Sequence, residues 1–126
     1  MITAPKLKVL SIEPFEHPFT LRLPFRYGAV TVTEGRQAFV RVHVRLDDQR
    51  EAFGYAAETL AAKWFDKNPL LSDEQNRHQL RRTIELAADA YLAAPLSTAF
   101  ELSADNYRGL YRAAATLGLP PLVAGP

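Results

Sequence analysis

The chain contains no cysteine, which removes disulfides and thiolate metal sites from consideration and fits a reducing, cytoplasmic setting. It also has almost no net charge. Fifteen basic against fourteen acidic side chains leave a formal +1, too little for bulk electrostatics to draw nucleic acid or an anionic membrane. No apolar run approaches the roughly 20 residues that cross a bilayer, and Ser11, Glu13 and Glu16 interrupt what would be the apolar core of a signal peptide. A soluble protein is the expectation.

Catalytic signatures are missing too. There is no glycine-rich phosphate loop, no Gly-x-Ser-x-Gly elbow and no convincing Ser, His, Asp order. His17, His43 and His78 stand far apart, none with a second ligand one helical turn away, so no metal site is expected. The adjacent carboxylates Asp47-Asp48 and Asp73-Glu74 have structural roles available, as a turn and as the acidic start of a helix. No catalytic residue is assigned.

What is present is the patterning of one ordinary globular domain spanning 1–126, 48% hydrophobic and 23% charged. Phe19, Leu21, Leu23 and Phe25 alternate with Thr20 and Arg22, as along a half-buried strand. Val40, Val42, Val44 and Leu46 then share one face of a second strand, with Phe39, Arg41, His43 and Arg45 on the other. Asp47-Asp48-Gln49-Arg50 supplies a turn before Glu51–Ala56, which makes a hairpin and an antiparallel meander of about three strands. Past Pro69 the period becomes helical: Leu80, Ile84, Ala87, Ala88, Tyr91 and Leu92 form one stripe. That helix starts at a Ser72/Gln75 capping box and ends at Pro95. A second helix is expected from about Thr98 to Leu117, with Phe100, Ala104, Tyr107, Tyr111, Ala114 and Leu117 on one side and Ser103 and Asn106 as points where it breaks. Residues 55–68 are compatible with either a helix or a flap. Strands first and helices second give an α+β class, with a helical bundle on one face of a small antiparallel sheet.

The run Leu21-Arg22-Leu23-Pro24-Phe25, then Tyr27-Gly28 and Thr31-Val32-Thr33-Glu34, then Phe39 to Glu58, resembles the N-terminal capping domain of the enolase superfamily, in the mandelate racemase and muconate lactonizing enzyme group. The resemblance implies an enolase N-terminal-domain-like fold and a substrate-capping role over a C-terminal barrel whose active site lies at the ends of its strands. It implies a parent isomerase or lyase that removes a proton alpha to a carboxylate, giving racemisation, cycloisomerisation or dehydration. Magnesium and the acid-base residues would be held by that barrel, which is expected to be absent from this chain, so no activity is expected of the chain alone. Two departures stand out. Gln49 follows Asp47-Asp48 where relatives carry glycine, which requires other dihedrals or a longer turn; and after Gly54 the glutamate comes one place late, at Glu58.

By position the resemblance makes Phe25–Thr33 the first flexible cap loop and Tyr55–Lys67 the second. The substrate-contacting residues it implies are Tyr27, Thr31, Tyr55, Lys63 and Trp64, which offer hydroxyls, a cation and aromatic surface to a small carboxylate substrate. Trp64 and Phe65 have a competing role as core aromatics, and Tyr27 as the closure of a sheet edge. Arg41, His43 and Arg45 share a strand face with one nearby aromatic, Phe39, short of a nucleic-acid platform, so no nucleic acid is expected. A reading of another class is a free-standing interaction module that keeps the cap fold, self-associating or pairing with a partner through Phe100, Tyr107, Tyr111 and the tail Leu117–Val123.

Overall fold

The structure is a computed structural model that describes residues 3–124. Two long strands, β1 (Lys6–Tyr27) and β2 (Val30–Leu46), pair antiparallel, and β3 (Glu51–Thr59) pairs with the far side of β2. Helix α1 (Asp73–Ala93) follows, then a two-residue strand β4 (Ser97–Thr98), helix α2 (Ala99–Thr116) and one turn, α3 (Pro121–Ala124). The sheet order is β3-β2-β1-β4. The class is therefore α+β with four strands rather than about three. The extra strand pairs only with Lys6 and Leu7, and two residues are too few to show a period.

β1 departs from simple alternation twice. Leu10 has no partner between the pairs Val9–Val44 and Ser11–His43, and Leu21–Pro24 lie opposite Thr33 alone, between Thr20–Glu34 and Phe25–Val32. Both are bulges. The second falls on Pro24, which has no amide to give a ladder, and it breaks the expected Phe19-Leu21-Leu23-Phe25 face, leaving Leu23 and Phe25 exposed. The expected loop over Phe25–Thr33 is largely strand: only Gly28 and Ala29 separate Tyr27 from Val30, with Gly28 at φ +53°, at the first central position that type II′ hairpins give to glycine.

The hairpin between β2 and β3 corrects the expectation for Gln49. Gln49 itself takes φ +69°, the left-handed backbone a glycine would adopt, and its amide bonds to the Leu46 carbonyl at 3.0 Å. Asp48 supports the turn, accepting from the Arg50 amide at 3.1 Å and from its Nε at 2.7 Å.

β2 alternates as its sequence requires. Val40, Val42 and Val44 look toward Ile84 and Tyr91 of α1 and Leu102 of α2 across an apolar gap of about 400 Å³. On the opposite face Arg41 makes two bonds to Glu13, at 2.8 and 2.7 Å, and lies 5.5 Å from the Phe53 ring centroid. His43 stacks on that ring at 4.4 Å and meets Glu51 at 2.8 Å.

Helix α1 begins at the expected capping box, Ser72 accepting from the Gln75 amide and Gln75 from that of Ser72. Its last turn has no basic residue; instead Lys8 of β1 donates to the carbonyls of Leu92 and Ala94 at 2.9 and 2.5 Å, a cation where the helix dipole favours one. Helix α2 has its own box, Thr98 with Glu101, and runs unbroken through Ser103 and Asn106. Its buried positions are Leu102 and Ala114, whereas Phe100 is 82% exposed. Ala114 is buried as expected, but the buried face otherwise runs through Leu102 in place of Phe100. A core of Ala38, Leu60, Leu80 and Val123, with Phe65 and Ile84 against it, joins sheet, loop and helices.

Candidate functional site

Residues 60–72, between β3 and α1, form neither a helix nor a continued strand. Leu60 anchors the segment: it is 5% exposed, and its amide donates to the Arg36 carbonyl at 2.9 Å. Beyond it the chain satisfies its own backbone. Asp66 accepts from the Asn68 amide at 3.0 Å, Asn68 from the Leu70 amide at 3.0 Å, and Gln79 of α1 donates to Asp66 at 3.1 Å. Such Asx turns give a loop without sheet or helix a fixed path.

That path brings the segment against the β1–β2 hairpin. The Tyr27 hydroxyl donates to the Ala62 carbonyl at 2.6 Å, and the Tyr27 and Trp64 rings meet edge to face at 4.9 Å. Phe25 continues the aromatic group, 5.9 Å from Tyr27. Nearby, the Phe19 ring lies over Gly35 so closely that a Cβ there would fall 2.7 Å from it. Together the hairpin, the segment and the start of α1 enclose a cleft of about 770 Å³, within the range of small-molecule sites.

The five residues singled out in the sequence divide between two places. Tyr27, Thr31 and Trp64 line this cleft. Tyr55 lies on β3, beside Arg41 in the ladder, and is 75% exposed; the supposed loop that contained it is strand as far as Thr59. Lys63 turns the other way. It adopts φ +62° and its ammonium donates to the carbonyls of Asn68, at 2.8 Å, and Leu71, holding the loop rather than lining the cleft.

Residues not singled out in the sequence supply the charge. Glu34, Glu58 and Asp73 line the cleft with one cation, Arg77. Arg77 already bonds Glu74 at 2.8 Å, and this contact with that of Arg81 holds the Glu74 carboxyl down at about 2. Burial, with the nearby Asp73 charge as the lesser cause, pushes the Tyr27 phenol above its usual value, so it stays a neutral donor. Glu34 had a sequence signal, as the end of the Thr31–Glu34 motif. Asp73 had none, because an acidic residue is ordinary at a helix start.

No protein-family model, no curated protein and no solved structure matches the chain. Among the described residues no three histidine, aspartate or glutamate side chains are grouped to hold a metal ion. No helix among those residues is long and apolar enough to cross a membrane.

Proposed function

We propose that this chain is the N-terminal capping domain of an enolase-superfamily enzyme of the mandelate racemase and muconate lactonizing group. The observation that carries this reading is the Tyr27–Ala62 hydrogen bond. It joins the two segments that the resemblance assigns to the cap loops and closes them around one cleft. The strand order, with a long first hairpin, a third strand at the edge and helices after it, supports the reading too. In the intact enzyme, magnesium held by the barrel would supply the electrostatic stabilisation of the charge that develops as a proton leaves the carbon next to a carboxylate. The part of this chain is to enclose the rest of the substrate. Tyr27 and Trp64 form the wall, and the Tyr27–Ala62 bond holds the loop that carries Trp64 against the hairpin.

The test is made on the protein isolated from its source cell. A product larger than the chain's 14.1 kDa by a barrel of about 250 residues, exchanging the alpha proton of a carboxylate for deuterium with magnesium, is the expected result. A product of 14.1 kDa with no exchange overturns the capping role.

A second reading is favoured by α2. Phe100 is 82% exposed, Tyr107 51% and Leu117 49%, an apolar surface of the kind a partner covers. Val123, at 1% exposed, belongs to the core and leaves that patch. On this reading the chain is an interaction module that retains the cap fold, and concentration-dependent self-association in sedimentation would favour it.

A further inference from the structure

We propose that the cleft receives the positively charged end of an organic molecule, an ammonium or guanidinium group, lying against aromatic rings and countered by carboxylates. That this cation belongs to a substrate rests on the capping reading; that the cleft favours a cation does not.

Three observations converge on it. The wall is aromatic, with Phe25, Tyr27 and Trp64 successive in space at 5.9 and 4.9 Å. Phe25 and Trp64 are each more than half exposed. Ring faces attract a cation within about 6 Å of the centroid, and a tryptophan is the strongest of them. Next, Glu34, Glu58 and Asp73 line the same space. Among the described residues no side-chain cation pairs with any of them: Glu58 accepts from the neighbouring Thr59 amide at 2.9 Å, and the ion pairs of the chain use other carboxylates. Finally, the cations within reach are already engaged, Arg77 by Glu74 at 2.8 Å and Lys63 by two backbone carbonyls. An anionic group entering the cleft would meet three carboxylates and no free cation among the residues that line it.

The geometry also divides the work. In a carboxylate-activating enzyme the reacting carboxylate would face the barrel, where metal and acid-base groups are expected. The cap would then read the far end of the molecule. A substrate positive at one end and carboxylate at the other, such as an amino-acid derivative with its cationic group remote from the reacting carbon, meets both demands.

Trp64 is the only tryptophan of the chain and lines the cleft, so its fluorescence reports occupancy directly. The purified chain is titrated with phenethylammonium, 2-phenylethanol and phenylacetate, which share a ring and differ in charge. Backbone amide shifts of residues 27–35 are followed in parallel. The expected result is that phenethylammonium perturbs both signals at a concentration at least about tenfold lower than phenylacetate. Glu34→Gln and Glu58→Gln, with unchanged circular dichroism, should each raise its half-saturation concentration by about three- to tenfold. Added salt should weaken it. Phenylacetate acting at an equal or lower concentration overturns the charge preference and leaves the capping reading intact. No response to any probe in either signal overturns the site. Cation binding by a protein that lacks alpha-proton exchange would leave the site standing and remove the capping reading.

Discussion

Arg81 of α1 and Glu16 of β1 are joined across the sheet-helix interface although 65 residues separate them. The same carboxylate accepts from Arg36 of β2 at 2.6 Å, and Arg81 continues to Glu74 at 2.6 Å. One half-buried carboxylate thus ties two strands to the helix. Its hydrogen bond with Arg81, opposed by burial and assisted by Arg36, lowers the Glu16 carboxyl from 4.5.

Because the folded-state value lies below the unfolded one, the unfolded chain takes up the proton first. The stabilisation is complete above about pH 4.5 and is lost as pH falls through the lowered folded value. Glu16→Gln should therefore cost about 1 kcal/mol at pH 7 and flatten the fall in stability just below pH 4.5. The acid sensitivity that survives includes that of Glu74, whose contribution is lost as pH falls from 4.5 to about 2. Denaturant unfolding of both proteins between pH 7 and pH 3 measures this; parallel curves would deny Glu16 its linking role.

Tyr27→Phe keeps the ring against Trp64 but removes the donor to Ala62. The expected loss is about 1 kcal/mol, that of a hydrogen bond whose acceptor can turn to water. Amide exchange should accelerate in residues 60–72 and stay unchanged in the β1–β2 ladder. If exchange rises equally throughout, the bond does not hold the loop locally. Tyr27→Ala, which also removes the ring, should in addition shift the Trp64 emission to longer wavelength.

Gln49→Gly should stabilise the fold by about 0.5 to 1 kcal/mol, since relief of left-handed backbone strain exceeds the extra entropy of a glycine in the unfolded chain. Gly28→Ala should do the reverse, because Gly28 holds φ +53° and an alanine there is strained although space is open around it. Thermal unfolding of the pair decides it, and a destabilised Gln49→Gly would show that the side chain contributes more than its backbone costs.

The parts of this fold that could be read in the sequence are those where one period runs uninterrupted. Val40, Val42 and Val44 alternate without a break, and Leu80, Ile84 and Tyr91 with the Ser72/Gln75 box fix α1 by themselves. The face of α2 was not legible, because its buried and exposed apolar stripes have the same period and only contact with α1 selects between them. Of the cleft, Tyr27, Thr31 and Trp64 were accessible from the sequence. Lys63 and Tyr55 lie outside it, and a chain read linearly cannot tell a lysine facing a cavity from one curled onto the carbonyl of Asn68. Of the carboxylates, Glu34 carried a signal as the end of the Thr31–Glu34 motif, whereas Asp73 is what any helix start prefers and Glu58 is offset by one place from the expected motif.

The unpaired Leu10 has one further effect. Leu7 and Val9, at odd positions before it, share the helix-facing side of the sheet with Ile12, at an even position after it. β1 is thus written in two reading frames, with Leu10 as the frameshift that joins them. An insertion or deletion of one residue elsewhere between Lys6 and Phe19 would send half the strand's apolar side chains to the wrong side of the sheet. At Leu10 itself a deletion would close the ladder and leave every face as it is, since Val9 already stands opposite Val44 and Ser11 opposite His43. A deletion between Lys6 and Val9 would instead turn the short segment that carries both the Lys8 cap of α1 and the pairing with β4 away from the two elements it fastens.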